Sequence, residues 1–358
     1  MHCKVIKLKI FYLLLLFLLC HKKGLSQGRA DSIKVKNEAL LSQLESLIKT
    51  NGSFREAVFV SEQGYQNKVS PHNYYCDFIN SYTKLAKIHF ATLKASTYKQ
   101  PDSINYLLNL SLFDIFSKSI PIKSNTHSIS TTPFFYNYDD PQGDEDFGST
   151  FVTRLLATHY GNCRSLTYLY KILADETGAK CWLSLAPNHI YIRNYNKKTG
   201  WYNTELTSGT FPTDAWIAAS GYVSADAIRS GVYMDTLSNQ QAIGLCILDL
   251  VHGYIRQTNN YTDGFVLKSC NTVLQYHSVN PMALLLKAEA LKRLWLEEKK
   301  NKSVLVPSTY TKMEEVYAQL LKLEYREMPY KVYQQWLKNT SQQKDKFGNL
   351  QPHNKINN

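Results

Sequence analysis

The chain has 358 residues, of which 44% are hydrophobic and 20% are charged, so it is long enough for two globular domains and ordinary in composition. Its formal net charge is +12, but residues 1–26 hold five lysines and no acidic residue. Without that segment the charge is +7, spread along the chain with no basic block. This distribution argues against nucleic acid as a partner.

Residues 1–26 have the pattern of a secretory signal peptide. Three lysines precede an unbroken apolar run, 10–20, whose eleven residues fall short of the roughly 20 that a helix needs to cross a bilayer. Gly24 and Ser26 form a small-x-small pattern that predicts cleavage before Gln27. We therefore expect an exported protein, periplasmic or secreted, with no transmembrane segment after cleavage.

The cysteines add to this expectation. Cys20 would be the position for lipid modification, but the bulky Leu19 before it argues against a lipoprotein signal. An uncleaved anchor is the other alternative for this segment. Five cysteines follow the cleavage site, so at least one stays unpaired within the chain, and none belongs to a CxxC unit: Cys76, Cys163, Cys181, Cys246 and Cys270.

Apolar periodicity predicts a helical N-terminal region over 27–120. Helices are expected at 36–49, 54–66, 72–95 and 103–118. The following stretch, from about 120 to 150, is rich in Pro, Gly, Ser, Thr and Asp, which predicts a long loop. A connection of that length inside a compact domain is often functional, for example as one wall of a cleft.

The next predicted helix begins at Cys163 and ends near Gly178, with apolar residues at spacings of three and four. Cys163 therefore falls in the first helical turn. There the free backbone N–H groups and the positive end of the helix dipole favour a thiolate, and the same N–H groups could bind an oxyanion. A thiolate is the reactive form of cysteine, so Cys163 is a candidate nucleophile.

Three predicted strands follow, at 180–186, 189–195 and 201–207. His189 begins the second strand and shares a face with Tyr191 and Arg193. By the same period of two, the third strand places four residues on one face: Trp201, Asn203, Glu205 and Thr207. A nucleophilic thiol needs a base and a group that orients the base, and this segment supplies each type in the order Cys163, His189, Glu205.

These motifs resemble the transglutaminase-like branch of the papain-like cysteine enzymes. The resemblance rests on G-N-C-R-S-L at the start of the helix, N-H-I-Y-I at the strand and W-Y-N-T-E-L-T on the next strand, and it covers roughly 130–225. It implies that Cys163 is the nucleophile, His189 the base and Glu205 the orienting acid. The usual acid of the family is Asp, so Asn203 stays open as the third residue. Further candidate supporting residues are Asn162, Asn188 and Trp201.

Each candidate also has a purely structural interpretation. Cys163 could be buried or paired with Cys181, His189 could merely begin a strand, and Glu205 could be a surface carboxylate. A zinc site could be formed from His159, Cys163, Cys181 and His189, which are suitable residue types. Their spacing, however, fits no standard zinc pattern. We therefore expect neither a metal nor a cofactor.

The C-terminal part predicts helices at 240–257, 263–276, 280–299 and 311–325. The strings TVLQYHSVNP and LLKLEYREMP end at prolines 48 residues apart, which resembles degenerate tetratricopeptide-type repeats of longer than the usual length of about 34 residues. An ordinary helical bundle is the alternative. A polar, disordered tail is expected at 339–358.

The sequence thus predicts an α+β protein with five regions. These are a signal peptide (1–26), a helical region (27–120), a transglutaminase-like core (121–230), a helical-repeat region (231–338) and a disordered tail (339–358). In the core, the helix that begins at Cys163 is expected to pack on a small antiparallel sheet. The expected function is thiol-dependent hydrolysis of an amide, with a peptide or protein as substrate. Hydrolysis is preferred to cross-linking because the chain shows no sign of a second amine site or a calcium loop. The alternative is a noncatalytic interaction protein of the cell envelope, since a fold does not determine function.

Overall fold

The computed structural model describes residues 28–65, 71–93, 98–123 and 128–342. In this part of the chain the architecture is α+β, with thirteen α-helices and small sheets. The expected signal peptide lies outside the described residues, as does the tail beyond 342. The first residues assigned to the tail, 339–342, are instead the end of the last helix.

The N-terminal region consists of four helices: α1 (28–49), α2 (Phe54–Gln63), α3 (His72–Leu93) and α4 (Ser103–Ser117). Their positions follow the predicted ones, although α1 begins eight residues before the expected start. The apolar stripe of α1 is buried in the core, at Leu40, Leu41, Leu44 and Ile48.

The stretch from 120 to 150, expected to be a structureless loop, contains short regular elements. Strands β1 (Pro121–Lys123) and β2 (Ser128–Ser130) pair as an antiparallel hairpin, followed by β3 (Phe135–Tyr136) and a 3₁₀ helix (Phe147–Thr150). Composition hides such elements because each spans two to four residues. The carboxylate of Asp140 orders the turn between β3 and the 3₁₀ helix. It accepts hydrogen bonds from three successive backbone N–H groups, those of Asp144, Glu145 and Asp146.

The core of the molecule is built around α6 (Cys163–Thr177), which follows α5 (Val152–Thr158) and the short strand β4 (Tyr160–Gly161). Strand β4 pairs in parallel with β3. Helix α6 buries Leu169, Ile172 and Leu173 completely and packs against α3, α4, α5 and strand β6. Its position makes the residues at its N-terminus part of the interior.

A three-stranded antiparallel sheet covers one side of α6. It is formed by β5 (Trp182–Ala186), β6 (His189–Asn196) and β7 (Gly200–Thr204), with β6 in the middle. The third strand ends at Thr204, three residues before the predicted end at 207, so Glu205 lies just beyond it. The backbone N–H groups of Met234 and Leu237 donate to carbonyls of β5, so the chain returns along the free edge of this strand.

Two short helices, α7 (Asp214–Ser220) and α8 (Ala225–Arg229), lead to a C-terminal series of five. These are α9 (Asn239–Thr258), α10 (Phe265–Tyr276), α11 (Pro281–Lys300), α12 (Val306–Lys322) and α13 (Tyr330–Gln342). From α9 to α12 each helix packs against the next, and α9 also packs against α2. No helix within the described ranges has both the length and the apolarity to cross a membrane.

Candidate active site

Cys163 occupies the first position of α6, as predicted, because Asn162 caps the helix. The Asn162 side chain accepts hydrogen bonds from the N–H groups of Arg164 and Ser165, and the Ser165 hydroxyl accepts one from the Asn162 N–H. This reciprocal capping box fixes the helix start. The cap occupies two N–H groups of the first turn, so the Cys163 N–H is the donor that the cap leaves for an oxyanion.

His189 is positioned by a tight turn between β5 and β6. Pro187 and Asn188 form the turn, and Asn188 has φ +55°, a left-handed conformation that asparagine adopts more readily than most residues. Ala186 pairs with His189 directly after the turn. The imidazole is thereby held in the interior, with its side chain 3% exposed.

Glu205 lies just past the end of β7, where it forms an isolated bridge with Thr210. Its Oε2 lies 2.6 Å from Nε2 of His189. Its Oε1 accepts hydrogen bonds from the Thr207 N–H at 2.9 Å and the Thr207 hydroxyl at 2.7 Å. Both oxygens of this buried carboxylate are therefore satisfied, and the carboxylate is fixed against the imidazole.

The structure brings Cys163, His189 and Glu205 together. Nε2 of His189 binds Glu205, while the buried Nδ1 makes no conventional hydrogen bond to the described residues and is available to the Cys163 thiol. Burial lowers the pKa of His189, but Glu205 and Cys163 outweigh it and raise the value to about 10. Burial raises the pKa of Cys163, yet His189 and Arg164 hold it below its ordinary value.

Glu205 completes this arrangement of charges. Burial alone raises the pKa of its carboxyl group, but His189 and the hydrogen bonds from Thr207 lower it below the usual value. All three pKa shifts favour the charged forms: a thiolate at Cys163, an imidazolium at His189 and a carboxylate at Glu205. The imidazole is therefore the group of the three that is suited to hold the transferable proton.

Asn203 and Trp201 share the predicted face of the third strand but lie outside this group. The Asn203 amide donates to Pro212 O at 3.0 Å and to Asp214 Oδ1 at 2.7 Å. Trp201 is 48% exposed and packs edge-on against Trp182. The carboxylate, rather than the amide, is thus the partner of His189.

The two other candidate supporting residues connect the site to its surroundings. The Asn162 amide donates to Pro141 O at 3.3 Å and joins the helix start to the 120–150 stretch. The Asn188 amide donates to Met328 O at 2.9 Å and joins the histidine turn to the C-terminal segment. Both residues shape the site without being shown to touch a reacting group.

A cavity of about 710 Å³ opens beside Cys163 and His189. One wall comes from the 120–150 stretch, through residues such as Pro141 and Gln142, which is the cleft role expected for it. The opposite wall comes from α11 and from the segment before α13, and it is largely apolar: Met282, Leu285, Leu286, Met328 and Pro329. This volume suits part of a polymer or a small molecule.

Charged groups also line the cavity. Arg164, next to the thiol, pairs with the buried Asp249 at 2.7 Å, and Arg256 pairs with Asp144 at 3.0 Å. Between the two arginines lies His252, whose pKa falls to about 3 because burial and both positive charges disfavour its protonation. His252 is therefore neutral at physiological pH.

Two aromatic residues of α13, which were not among the predicted site residues, cover the site. Tyr333 is 1% exposed, and its hydroxyl interacts with the Cys163 thiol and with Tyr136. The Trp336 ring lies 4.9 Å from the His189 ring. The signal for these residues was the spacing of three between two aromatic residues soon after Pro329, which favours one face of a short helix.

Of the structural alternatives for Cys163, the structure shows its burial, at 8% exposed, but not a disulfide. All five cysteines in the described part of the chain are free, and Cys163 and Cys181 form no disulfide. Burial raises the pKa of Cys181 to about 12. His159 stacks on Phe134, and the four residues considered for zinc do not converge.

Comparison of the chain with protein-family models, with curated proteins and with solved structures finds no match in any of the three.

Proposed function

We propose that this protein is a thiol-dependent amide hydrolase in which Cys163 is the nucleophile, His189 the general acid and base, and Glu205 the residue that positions His189. The observation that carries the proposal is the 2.6 Å contact between the buried His189 and Glu205, in a group that also holds a thiol of lowered pKa at the edge of a cavity. A buried cysteine without such partners is inert, as the raised pKa of Cys181 illustrates.

In the first half of the reaction the Cys163 thiolate attacks the carbonyl carbon of the amide. A carbon–sulfur bond forms, and the carbonyl electron pair moves to oxygen, where the Cys163 N–H can stabilise it. When this intermediate collapses, the carbon–nitrogen bond breaks and His189 gives its proton to the leaving nitrogen. The products are a free amine and a thioester on Cys163.

In the second half, water replaces the amine. His189, now neutral, takes a proton from water as it attacks the thioester, and the sulfur leaves as thiolate. The acid product departs and the imidazolium is restored. Glu205 keeps the ring in one orientation throughout and stabilises its charged form, so it is a positioning residue.

We also propose that the part of the chain at 121–230 is related to transglutaminase-like enzymes. A helix that begins with the cysteine, a following antiparallel sheet whose middle strand begins with the histidine, and an acid after the third strand support this relation. Glu205, which takes the place of the family's aspartate, lies one residue past the end of the third strand. The proposed reaction is hydrolysis, and the proposed substrate is a peptide or protein. The proposed location is the cell envelope or the extracellular space, which rests on the pattern of residues 1–26 alone.

One observation favours the second candidate, a noncatalytic interaction protein. Helix α13 covers the thiol and the imidazole with Tyr333 and Trp336, so a substrate must reach Cys163 past these side chains. In that alternative, partners bind the C-terminal helices, whether or not these are tetratricopeptide-type repeats. The fold then serves as a rigid support.

The decisive experiment measures turnover of a peptide library, with peptide and isopeptide bonds, by mass spectrometry. Wild type and Cys163→Ala are compared, because alanine removes the nucleophile while losing little packing. We expect cleavage by wild type, a trapped thioester detectable as a mass increase on Cys163, and neither signal with the variant. Equal behaviour of the two proteins, with loss of partner binding only on substitution of surface residues of the C-terminal helices, would retire the catalytic proposal.

A further inference from the structure

A second group of reactive side chains lies outside the cavity of the candidate active site. Glu56 of α2 and His72 and Cys76 of α3 bring a carboxylate oxygen, an imidazole nitrogen and a sulfur close together, with all three ligand atoms within 4.8 Å of one another. Within the described ranges no other three acidic, histidine or cysteine residues approach this closely. None of the three has a part in the proposed reaction.

The spacing of these atoms matches a tetrahedral metal site. Nε2 of His72 lies 2.9 Å from Oε2 of Glu56, and the Cys76 sulfur lies 3.7 Å from both ring nitrogens of His72, so it faces the ring. In a tetrahedral zinc site with a Zn–S bond of about 2.3 Å and Zn–N or Zn–O bonds of about 2.0–2.2 Å, neighbouring ligand atoms lie roughly 3.3–3.6 Å apart. To bind one metal ion, the Glu56–His72 contact must lengthen by a few tenths of an ångström, and the His72 ring must rotate so that Nε2 points to the metal.

The ligands are held by packed helices. His72 and Cys76 are four residues apart on α3 and so share one face, an arrangement that serves metal binding on helices. The Phe59 ring packs edge-on against one side of the His72 ring, with ring centroids 4.6 Å apart. The Tyr75 hydroxyl donates to Arg55 O at 3.0 Å and ties α3 to α2 beside the cluster.

Charge also suits a divalent ion. The Arg55 guanidinium lies beside Cys76, with its Nε 3.9 Å from Oε1 of Glu56, and it pairs more closely with Glu176 at 3.1 Å, which offsets its charge. A thiolate and a carboxylate then balance a divalent cation, and the neutral imidazole completes the set. A soft sulfur with a nitrogen and an oxygen ligand favours Zn²⁺ over Mg²⁺ or Ca²⁺, which prefer oxygen alone.

The cluster is also accessible. The side chains of His72 and Glu56 are 50% and 37% exposed. Cys76 is partly exposed, whereas the other cysteines in the described part of the chain are buried. A metal ion can thus enter from solvent, and a solvent molecule can supply the fourth ligand.

We propose that Glu56, His72 and Cys76 form a Zn²⁺ site that fastens the start of α3 to α2. The site differs from the candidate active site, where the thiol and the carboxylate lie on opposite nitrogens of the His189 ring. It also departs from the expectation of no metal, which considered only residues near Cys163.

Cobalt is the probe, because Co²⁺ replaces Zn²⁺ in tetrahedral sites and gives a thiolate charge-transfer absorption. The protein used is full-length Cys163→Ala, so that the other thiol–imidazole pair cannot contribute. We expect one equivalent of Co²⁺ to bind with this absorption and one equivalent of Zn²⁺ to remove it. No thiolate absorption at saturating Co²⁺ overturns the proposal.

Three substitutions in the same background identify the ligands: Cys76→Ser, His72→Gln and Glu56→Gln. Loss of any ligand should weaken Zn²⁺ binding by roughly 100-fold, and Cys76→Ser should abolish the charge-transfer absorption. The matched control is His89→Gln on the same helix, because His89 pairs with Asp114 at 3.0 Å and not with the cluster. Unchanged Co²⁺ spectra in Cys76→Ser, or equal weakening by His89→Gln, would place the metal elsewhere.

Thermal unfolding gives an independent readout. A ligand that binds the folded state alone stabilises it by mass action, so Zn²⁺ should raise the Tm of the Cys163→Ala protein. It should leave the Tm of the Glu56→Gln and His72→Gln variants unchanged, and these decide the question if Cys76→Ser folds poorly. Equal stabilisation of the variants by Zn²⁺ would contradict the assignment. The result is independent of whether the protein cleaves amides.

Discussion

The indole of Trp336 lies edge-on to the imidazole of His189, with ring centroids 4.9 Å apart. Trp336 also lies near Trp216 and stacks with Tyr333, so the aromatic residues of α13 form one continuous cover. The segment just before α13 is attached to the core by two hydrogen bonds. Arg326 O accepts one from the Tyr233 hydroxyl, and Met328 O accepts the other from the Asn188 amide. Helix α13 therefore covers the imidazole, while the cavity beside it reaches the thiol.

Removing this cover should expose the thiol. Trp336→Ala takes away the ring over His189, and we expect alkylation of Cys163 by a bulky maleimide to become about fivefold faster, which corresponds to a barrier lower by about 1 kcal/mol. The rates are followed by mass spectrometry in a Cys76→Ser background. The control is Trp295→Ala, since Trp295 packs on Tyr310 at a distance from the site. An unchanged or lower rate in Trp336→Ala would show that the cover does not limit access.

The positions of Cys163 and His189 could be predicted because their signals are local. A capping residue before an apolar stripe marks a helix start, and a Pro-Asn turn between apolar alternations marks a strand start. The third residue was harder to predict. The period of two placed Asn203 and Glu205 on one face, but β7 ends before Glu205, and only the bridge to Thr210 turns that carboxylate to His189.

Features that depend on distant parts of the chain were missed. Tyr333 and Trp336 belong to a short polar helix whose burial depends on packing against the core, and its sequence has little apolar content. The cluster of Glu56, His72 and Cys76 combines two helices, so only the four-residue spacing within α3 was visible. Sequence spacing reveals a site when one element carries it and fails when separate elements converge.

The pH dependence of Cys163 alkylation tests the ion pair. Because His189 and Arg164 hold the Cys163 pKa below its usual value, iodoacetamide should react at a pH below that needed by a free thiol of pKa about 8.5. In His189→Ala only burial and the remaining charges affect the Cys163 pKa, so the pH at which alkylation begins should be higher than in wild type. The rate at pH 7 should fall about tenfold for each unit by which the pKa rises.

The upper end of the same profile reports on the imidazolium. Its charge, present at lower pH, is lost as pH rises through the His189 pKa of about 10, and turnover should decline there because the leaving nitrogen no longer receives a proton. Cys181 is an internal control, since burial raises its pKa to about 12 and it should stay unlabelled at neutral pH. A reaction at Cys163 that begins only near the free-thiol value in wild type is the result that contradicts the nucleophile assignment.

Glu205→Gln should separate orientation from nucleophilicity. Its amide oxygen can still accept from Thr207, but the amide nitrogen then donates to Nε2 of His189 and leaves the ring proton on Nδ1, facing the thiol. The ring can no longer hold two protons stably or take one from Cys163. We expect kcat for amide hydrolysis to fall by about 100-fold, with a smaller change in KM.

Asn203→Ala is the matched comparison for Glu205→Gln. It leaves a buried carbonyl of Pro212 without its donor, which should cost about 1–3 kcal/mol in the free energy of unfolding, yet it touches neither His189 nor Cys163. Its pH profile for Cys163 alkylation should therefore match that of wild type. A shifted profile in Asn203→Ala together with a normal one in Glu205→Gln would make Asn203 the third residue.

Gly161→Ala tests whether the start of α6 determines the reactivity of Cys163. A Cβ at Gly161 would lie 2.3 Å from Oγ of Ser165, the hydroxyl that closes the capping box on Asn162. The Ser165 hydroxyl must turn away and lose the capping-box bond, or the helix start must shift, and we expect a loss of about 1–3 kcal/mol in the free energy of unfolding by urea, together with slower alkylation of Cys163. The matched control is Gly244→Ala within α9, where the new Cβ meets Val273 Cγ1 at an ordinary 3.4 Å and helix propensity improves by up to about 1 kcal/mol. If Gly161→Ala lowers stability but leaves the alkylation rate and its pH profile unchanged, the capping geometry supports the fold and His189 alone activates the thiol.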